Sequence, residues 1–286
     1  MTNEPFAPHL DPFLIRPLVE AALREDLRSG DLTTEALIPP DLRGHATMNF
    51  RVAGTVAGLQ LAQIAFETLD SGANVHLLAN DGDEVAPKTS ILRVECKGRA
   101  LLSAERVALN FVQRLSGIAT LTARYAKEIE GTRARLADTR KTTPLLRLVE
   151  KYAVRCGGGA NHRFALDDLV LIKDNHIALC GGVEAAIERA KNRIGHSVKI
   201  EVECDTIEQV ERAADAGADI LLLDNMPPDV LTRAVTIVAG RSLCEASGGI
   251  NLSTIRAVAE SGVDLISVGA LTHGATNLDI GLDVEL

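Results

Sequence analysis

Basic side chains are concentrated between residues 138 and 176, and this cluster is the feature of the sequence that first indicates a chemical function. The chain as a whole is acidic, with a formal net charge of −9, so the basic cluster is local. A buried group of like charges is costly unless a ligand of opposite charge neutralises it. The segment therefore predicts a pocket for a small polyanion. Its basic residues are Arg140, Lys141, Arg147, Lys151, Arg155, His162, Arg163, Lys173 and His176.

Some of these basic residues are expected to converge on one ligand. Arginine matches a planar carboxylate with two parallel hydrogen bonds, whereas lysine acts as a point charge for phosphate. A charge-assisted hydrogen bond contributes about 1.5–3 kcal/mol, and micromolar binding needs about 8 kcal/mol, so several must act together. The predicted set is Arg140, Lys141, His162, Arg163 and Lys173.

The remaining basic residues are assigned to other roles. Arg147, Lys151 and Arg155 recur at helical spacing and are expected on the solvated face of a helix over residues 145–155. His176 ends the sequence KDNH and either fixes that loop or contacts the ligand. Cys156 is interpreted as a buried, inert thiol.

Two carboxylates, those of Glu203 and Asp224, lie at the ends of neighbouring predicted strands. At one edge of a sheet they suit Mg²⁺, bound directly or through water, or the vicinal hydroxyls of a ribose. The alternative is an ion pair with Lys173 or Lys141, and the two interpretations are compatible.

Glycine-containing loops follow the last two predicted strands, with the sequences ASGGI and SVGAL. Glycine lets the backbone approach a ligand closely, and the last loops of β/α barrels often bind phosphate. Ordinary strand-to-helix turns are the alternative. The candidate phosphate-binding residues are Ser247, Gly248, Gly249, Gly269 and Ala270.

Short apolar runs alternate with amphipathic helical stretches from residue 134 onward, a pattern typical of parallel strands covered by helices. Strand after strand ends in a polar group, which favours a barrel, because a doubly wound sheet concentrates its site at one switch point. The six runs are ARLAD, LVLIK, VKIEVE, DILLLD, SLCEAS and DLISVG.

The first third of the chain predicts a mixed α+β domain with an antiparallel sheet. Residues 45–56 alternate apolar and polar as a half-buried strand does, with Ala46, Met48, Phe50 and Val52 on one face. Two helices, over residues 103–115 and 118–129, are expected to lead into the second domain.

Composition narrows the class of protein. The 286 residues are 46% hydrophobic and 3% aromatic, which predicts an aliphatic core. The acidic balance argues against nucleic acid or an anionic membrane as a partner. Five scattered cysteines without a C-x-x-C pair fit reduced thiols, and no apolar run reaches membrane length. We therefore expect a cytoplasmic protein.

Several motifs together resemble the quinolinate phosphoribosyltransferase family over residues 14 to 274. They are DTRKTTPLLRLVEKYAVRCGGGANHR, LIKDNH, EVE, LLLDN and EASGGI, with EDLRSGDLTTEALIP and ERVALNFVQRLSGIAT upstream. The resemblance implies an N-terminal α+β sandwich domain over residues 1–116. It further implies an atypical, partly open, TIM-like α/β barrel of about six to seven parallel strands over residues 117–274. The tail, residues 275–286, is expected to pack back on the first domain.

The resemblance also implies an activity. Phosphoribose would pass from phosphoribosyl pyrophosphate to the ring nitrogen of quinolinate with Mg²⁺, and carbon dioxide would then be lost. The products would be nicotinate mononucleotide and pyrophosphate, in de novo NAD synthesis. The implied quinolinate-binding residues are Arg106 (reaching across a homodimer interface), Thr139, Arg140, Lys141, His162 and Arg163. The implied phosphoribosyl pyrophosphate-binding residues are Lys173, Glu203, Asp224, Ser247, Gly248, Gly249, Gly269 and Ala270, and the implied catalytic residues are Lys141, Lys173, Glu203 and Asp224.

Two rival functions remain open at this point. A phosphoribosyltransferase acting on nicotinate would need to recognise only one carboxylate, so the surplus of arginines argues against it. A non-catalytic anion-binding protein would have no need of Lys141, Glu203 or Asp224, and all three are present.

Overall fold

The computed structural model describes residues 9–285. The chain forms two compact units, each assembled from separated segments. The first contains the residues up to 123, residues 144–158 and the residues from 274 onward, and the second contains residues 124–143 and 159–273. The predicted domain boundary at residue 116 falls inside a helix, Gly98–Glu128.

The described chain contains eleven helices and twelve strands, and none of these helices is long and apolar enough to cross a membrane. The helices are α1 (Pro12–Leu27), α2 (Leu32–Leu37), α3 (Leu59–Leu69), α4 (Gly98–Glu128), α5 (Arg147–Cys156), α6 (Asp174–Cys180), α7 (Val183–Lys191), α8 (Ile207–Asp215), α9 (Pro228–Val238), α10 (Ile255–Glu260) and α11 (Ala270–His273). The strands are β1 (Arg43–Phe50), β2 (Gly54–Thr55), β3 (Asn74–Leu77), β4 (Glu84–Val85), β5 (Ser90–Lys97), β6 (Arg135–Ala137), β7 (Val170–Ile172), β8 (Ile200–Cys204), β9 (Ile220–Asp224), β10 (Leu243–Ser247), β11 (Leu265–Ser267) and β12 (Ile280–Glu285).

A four-stranded antiparallel sheet forms the centre of the first unit, in the order β12-β1-β5-β3. Ala46, Met48 and Phe50 of β1 are fully buried, as their alternation predicts. Val52 is 41% exposed because β1 ends at Phe50, so its placement on the buried face was wrong. The C-terminal strand β12 pairs with β1 along its whole length, which ties the tail to the first unit.

Six parallel strands form the sheet of the second unit, in the order β6-β11-β10-β9-β8-β7. All six predicted strands are confirmed. Among the described residues the end strands β6 and β7 do not pair with each other, and a single bridge from Ala137 to Ala160 extends the β6 edge. The second unit is therefore a partly open α/β barrel, the fold class that the sequence predicted.

Helix α4 is continuous where two helices were predicted. Gly117 suggested a break, since glycine disfavours a helix interior by about 1 kcal/mol. In the structure its role is close packing, because a Cβ at Gly117 would lie 2.1 Å from the backbone oxygen of Thr276. Tertiary contact outweighs the local propensity.

The helix α5 begins at Arg147, and its predicted solvated face is partly wrong. Arg155 is exposed, but Lys151 is fully buried. Glu150, next to it, is also fully buried and accepts two hydrogen bonds from the guanidinium of Arg114 at 2.8 and 3.0 Å. Charge spacing along one helix could not show that a second charged helix packs against it.

Substituting Gly117 tests this packing. Gly117→Ala should destabilise the protein by about 1–3 kcal/mol, because the added methyl group overlaps a backbone oxygen that cannot rotate away. Chemical denaturation measures the change in free energy of unfolding. Gly195→Ala is the matched control, since nothing lies within 4 Å of a Cβ there. Equal stability of the two variants would contradict the close packing.

Candidate active site

One cavity of about 430 Å³ lies within the second unit and collects most of the predicted site residues. It is found where the parallel strands end, the edge at which β/α barrels place their ligands. Its lining includes both lysines and both arginines that the sequence analysis assigned to a ligand. The lining residues are Thr139, Arg140, Lys141, His162, Arg163, Leu171, Lys173, Glu203, Leu222, Asp224, Ser247 and Ser267.

Strand register explains why these side chains meet. Glu203 pairs with Leu222, and Asp224, two residues further on, pairs with Ser247. Because side chains alternate along a strand, Glu203, Asp224 and Ser247 share one face of the sheet. That face lines the cavity, and buried aliphatic residues such as Val202 and Leu223 occupy the other face.

Arg140 and Arg163 provide the strongest sign of an anionic ligand. The Nε atom of Arg140 is buried and has no hydrogen-bond partner among the described residues. Burial, together with the positive charge of Arg140, lowers the pKa of Arg163 from its usual value. Two guanidinium groups held together without a bound anion carry a desolvation and repulsion cost. A ligand with two carboxylates would remove that cost.

Lys173 and Glu203, which also line the cavity, form an ion pair. This is the ion pair that was left open as the alternative for Glu203. The Asp224 carboxylate accepts a hydrogen bond from the side-chain amide of Asn225 at 2.6 Å. The Nδ1 atom of His176 accepts the Lys173 backbone N–H at 2.9 Å, so His176 fixes the start of α6. The histidine therefore positions Lys173.

The predicted phosphate loops lie at the same strand ends. Gly248 and Gly249 have φ values of +91° and +63°, and a Cβ at Gly248 would lie 2.2 Å from the side-chain oxygen of Asn225. A Cβ at Gly269 would lie 3.0 Å from the Cδ atom of Lys141. Glycine is favoured at Gly248 and Gly249 by the positive φ values, and at Gly248 also by the close approach of Asn225.

Asp138 holds the loop that carries His162 and Arg163. Its carboxylate is fully buried and accepts the His162 backbone N–H at 2.8 Å and the Asn161 side-chain amide at 2.7 Å. The aspartate directly follows β6, and the loop directly follows the bridge at Ala160. The sheet edge therefore positions the loop that carries Arg163 through the Asp138 carboxylate.

Two further carboxylates are buried behind His162. The His162 Nε2 atom lies 3.2 Å from Oε2 of Glu201 and 3.5 Å from Oε1 of Glu245. Glu201 is fully buried and Glu245 is 2% exposed. Both lie two residues before a cavity-lining residue of the same strand, Glu203 and Ser247, and so occupy the next inward layer of the same face.

Arg106 is the predicted site residue that lies in the other unit. It is exposed on α4 and lines a separate cavity of about 190 Å³ with Asn110 and Arg114. Its predicted part in recognising the ligand stays a prediction.

Comparison with known proteins identifies the family. The model of the quinolinate phosphoribosyl transferase C-terminal domain matches residues 118–283, and that of the N-terminal domain matches residues 31–116. The chain belongs to the quinolinate phosphoribosyl transferase family. The resemblance stated from the motifs is confirmed.

Relatives of this family member are similar over nearly their whole length. A probable nicotinate-nucleotide pyrophosphorylase (carboxylating) of Bacillus subtilis is 42% identical over 272 residues, which cover 95% of this chain and 94% of the relative. A mitochondrial quinolinate phosphoribosyltransferase (decarboxylating) of Nicotiana tabacum is 38% identical, with 95% and 82% covered. The solved structure of NadC from Streptococcus pyogenes is 42% identical, with a TM-score of 0.93 and 97% and 99% covered.

No role for Asp138 or Glu245 was predicted from the sequence of this chain. A signal was present for Glu245, because it lies two residues before Ser247 in a predicted strand and must share its face. Glu201 and Glu203 show the same spacing. The sequence does not show that Glu245 lies close to Glu201 and His162, because this proximity arises across the barrel.

The pKa of Glu245 should affect how the free energy of unfolding of this protein depends on pH. Burial and then the negative charge of Glu201 raise its pKa to about 7. A raised folded-state pKa gives stability that is present below the unfolded value of 4.5 and is lost as pH rises through about 7. Above pH 7 the loss approaches roughly 3 kcal/mol.

Glu245→Gln removes this titration. Its free energy of unfolding relative to the wild-type protein should therefore rise by roughly 3 kcal/mol between pH 5 and pH 8, as measured by denaturation at both pH values. Glu184→Gln, at an exposed carboxylate on α7, controls for surface charge. A constant difference between wild type and Glu245→Gln would contradict the buried, raised carboxyl group.

Proposed function

We propose that this protein is a cytoplasmic quinolinate phosphoribosyltransferase that releases carbon dioxide and forms nicotinate mononucleotide and pyrophosphate in de novo NAD synthesis. The observation that carries the proposal is the convergence of Arg140 and Arg163 on one cavity with Lys141, Lys173, Glu203 and Asp224. One part of the lining suits a planar dicarboxylate, and the rest suits a phosphorylated sugar.

Quinolinate recognition is assigned to the arginine side of the cavity. Its adjacent carboxylates match two guanidinium groups, each of which can donate two parallel hydrogen bonds. The unpartnered Nε atom of Arg140 would gain an acceptor. Thr139 stabilises this region through its hydroxyl, which accepts the backbone N–H of Lys141 at 3.0 Å.

Phosphoribosyl pyrophosphate is assigned to the ends of β7 to β11. Asp224 and Glu203 are placed to accept hydrogen bonds from the ribose hydroxyls, and Lys141 and Lys173 to stabilise the departing pyrophosphate. The loops at Ser247 and Gly269, with Ala270, would enclose the 5′-phosphate. Leaving-group departure creates an oxocarbenium-like ribose, and the cavity aligns the ring nitrogen with its C1 carbon.

Loss of carbon dioxide follows from the same arrangement. Ribosylation makes the ring nitrogen cationic, and this charge stabilises the carbanion left when the adjacent carboxylate departs. The carbanion then takes a proton, which completes the nucleotide. Neither step needs a covalent nucleophile, so positioning and electrostatics account for the residues present.

Mg²⁺ fits the donor set of this cavity. Magnesium keeps several waters and binds through one or two carboxylates plus substrate phosphates, and Glu203 and Asp224 are two partly exposed carboxylates on one face. When bound, the ion would neutralise charge on the pyrophosphate. The pairing of Glu203 with Lys173 makes Asp224 the more available ligand.

A substrate comparison tests the proposal against its closest rival, a transferase acting on nicotinate. With phosphoribosyl pyrophosphate and Mg²⁺, quinolinate should give nicotinate mononucleotide and an equal amount of carbon dioxide. Nicotinate should react at least about a hundredfold more slowly, because one of two bidentate contacts is lost. Chromatography and labelled carbon dioxide measure both products. Comparable turnover of nicotinate would refute the assignment.

Arg106 is proposed to complete the quinolinate site of the partner subunit in a homodimer. Arg106→Ala should raise KM for quinolinate by about tenfold or more and leave KM for phosphoribosyl pyrophosphate nearly unchanged. Arg16→Ala, on α1, is the matched surface-arginine control. An equal loss for both substrates would contradict this role.

Mixing two impaired variants, assayed at a quinolinate concentration well below the wild-type KM so that Arg106→Ala is itself poorly active, tests whether Arg106 acts across the interface. After joint refolding of Arg106→Ala with Lys141→Ala, roughly a quarter of wild-type activity should return, because half of a two-fold heterodimer's sites are intact. No recovery, with mixed dimers verified by mass spectrometry, would place Arg106 in its own subunit's site.

A further inference from the structure

The two lysines that line the cavity are held in different ways. Glu203 forms an ion pair with Lys173, so a charge contact places that ammonium group. Lys141 is exposed, and within residues 9–285 its ammonium group forms no ion pair. A lysine side chain is a flexible four-carbon stem, so an unpaired ammonium group is placed only through the backbone and the methylene groups. The contacts of those parts of Lys141 therefore decide where its charge lies.

Contacts from two separate segments fix Lys141. Its backbone N–H donates to the hydroxyl of Thr139, in its own loop, at 3.0 Å. Its carbonyl oxygen accepts the hydroxyl of Thr272 at 2.8 Å. Its Cδ atom passes close to Gly269, since a Cβ at that glycine would lie 3.0 Å from it. Both contacts from outside the loop thus come from the segment that follows β11, residues 269–272.

Thr272 connects parts of the chain that are distant in sequence. It is fully buried in α11, and its hydroxyl lies 2.8 Å from the carbonyl oxygen of Lys141 and 3.1 Å from that of Gly269. The bond to Gly269, three residues earlier, is the local bond that threonine commonly forms with its own backbone. The shorter bond spans 131 positions of sequence, and the local structure of α11 does not require it.

We infer that Thr272 is a positioning residue for Lys141, because its hydroxyl ties the loop that carries this lysine to the segment assigned to the 5′-phosphate. The inference rests on the proposed function and gives a role to a residue for which the sequence predicted none. One segment then contacts the 5′-phosphate at Gly269 and Ala270 and holds Lys141 through Thr272. Recognition of the sugar phosphate and stabilisation of the departing pyrophosphate share this segment.

Loss of the Thr272 hydroxyl should act on the chemical step more than on substrate binding. Without it, the Lys141 carbonyl loses its bond to α11, and the lysine is free to move with its loop. A displacement of about 1 Å in a catalytic group costs on the order of a hundredfold in rate. Negative charge on the pyrophosphate grows as it departs, so the contact with Lys141 is strongest in the transition state and its loss lowers kcat.

Steady-state kinetics of two Thr272 variants test this effect. Thr272→Val removes the hydroxyl at nearly constant volume and should lower kcat about tenfold or more, with both KM values within about threefold. Thr272→Ser keeps the hydroxyl and should retain at least about half of the wild-type kcat. A serine variant as impaired as the valine variant, or a valine variant with the wild-type kcat, would overturn the inference.

Thr122→Val is the matched control for the loss of a buried hydroxyl. Thr122 is also fully buried, and its hydroxyl donates to the carbonyl of Ile118 at 2.8 Å, one turn earlier in α4. Chemical denaturation compares the stability of this variant with that of Thr272→Val. The control should keep kcat within about twofold of wild type. A fall in kcat as large as that of Thr272→Val would show a general effect on folding and overturn the inference.

Calorimetric binding of pyrophosphate with Mg²⁺ tests whether Thr272 acts through Lys141, and it needs no turnover. Lys141→Ala should weaken binding about tenfold or more, and Thr272→Val about threefold or more. In the double variant, Thr272→Val should add less than about twofold to the loss caused by Lys141→Ala. Losses that multiply would mean that the hydroxyl acts independently of the lysine, which would overturn the inference.

These outcomes separate the inference from the proposed function. If the wild-type protein does not turn over quinolinate, the proposed function fails, and pyrophosphate binding still decides whether Thr272 acts through Lys141. If the wild type is active but the two losses multiply, the proposed function stands and the positioning role is refuted. A wild-type protein that does not bind pyrophosphate would contradict the placement of Lys141 and overturn the inference as well.

Discussion

Two guanidinium groups, those of Arg140 and Arg163, line one cavity. Three carboxylates are buried in the layer of side chains behind that cavity. Desolvation and then repulsion by Arg140 lower the pKa of Arg163, and the buried Nε of Arg140 has no hydrogen-bond partner among the described residues. Asp138, Glu201 and Glu245 compensate from within the barrel, but none of them lines the cavity. The cavity therefore keeps positive charge that suits an incoming dianion, which is the basis of the proposed substrate recognition.

The strands of the barrel determine where these charged side chains lie. Alternation along β8 and β10 places one residue at the cavity and the residue two positions earlier in the buried layer. Glu203 with Glu201, and Ser247 with Glu245, follow this rule. The cavity-lining residues and the buried carboxylates are thus set by the same strands, so a change in strand register would displace both together.

The sequence predicts the parts of this arrangement that are local. Short apolar runs identified all six barrel strands, and α3 and α9 have the predicted bounds, because both signals need only neighbouring residues. Polar residues at the ends of the predicted strands likewise line the cavity. Lys151 and Gly117 show where such reasoning stops: burial of the first and close packing of the second depend on segments distant in the chain. Glu245 is a similar case, because the residues near its carboxyl group come from other parts of the barrel.

Calorimetric binding to the protein without phosphoribosyl pyrophosphate tests the central claim most directly. Quinolinate and benzene-1,2-dicarboxylate share the paired carboxylates, whereas nicotinate keeps the ring nitrogen and one carboxylate. If the two arginines select a dianion, both dicarboxylates should bind with similar Kd, and nicotinate about a hundredfold or more weakly. Arg163→Lys should weaken the dicarboxylates and leave nicotinate nearly unchanged. Nicotinate binding as tightly as quinolinate would contradict the account.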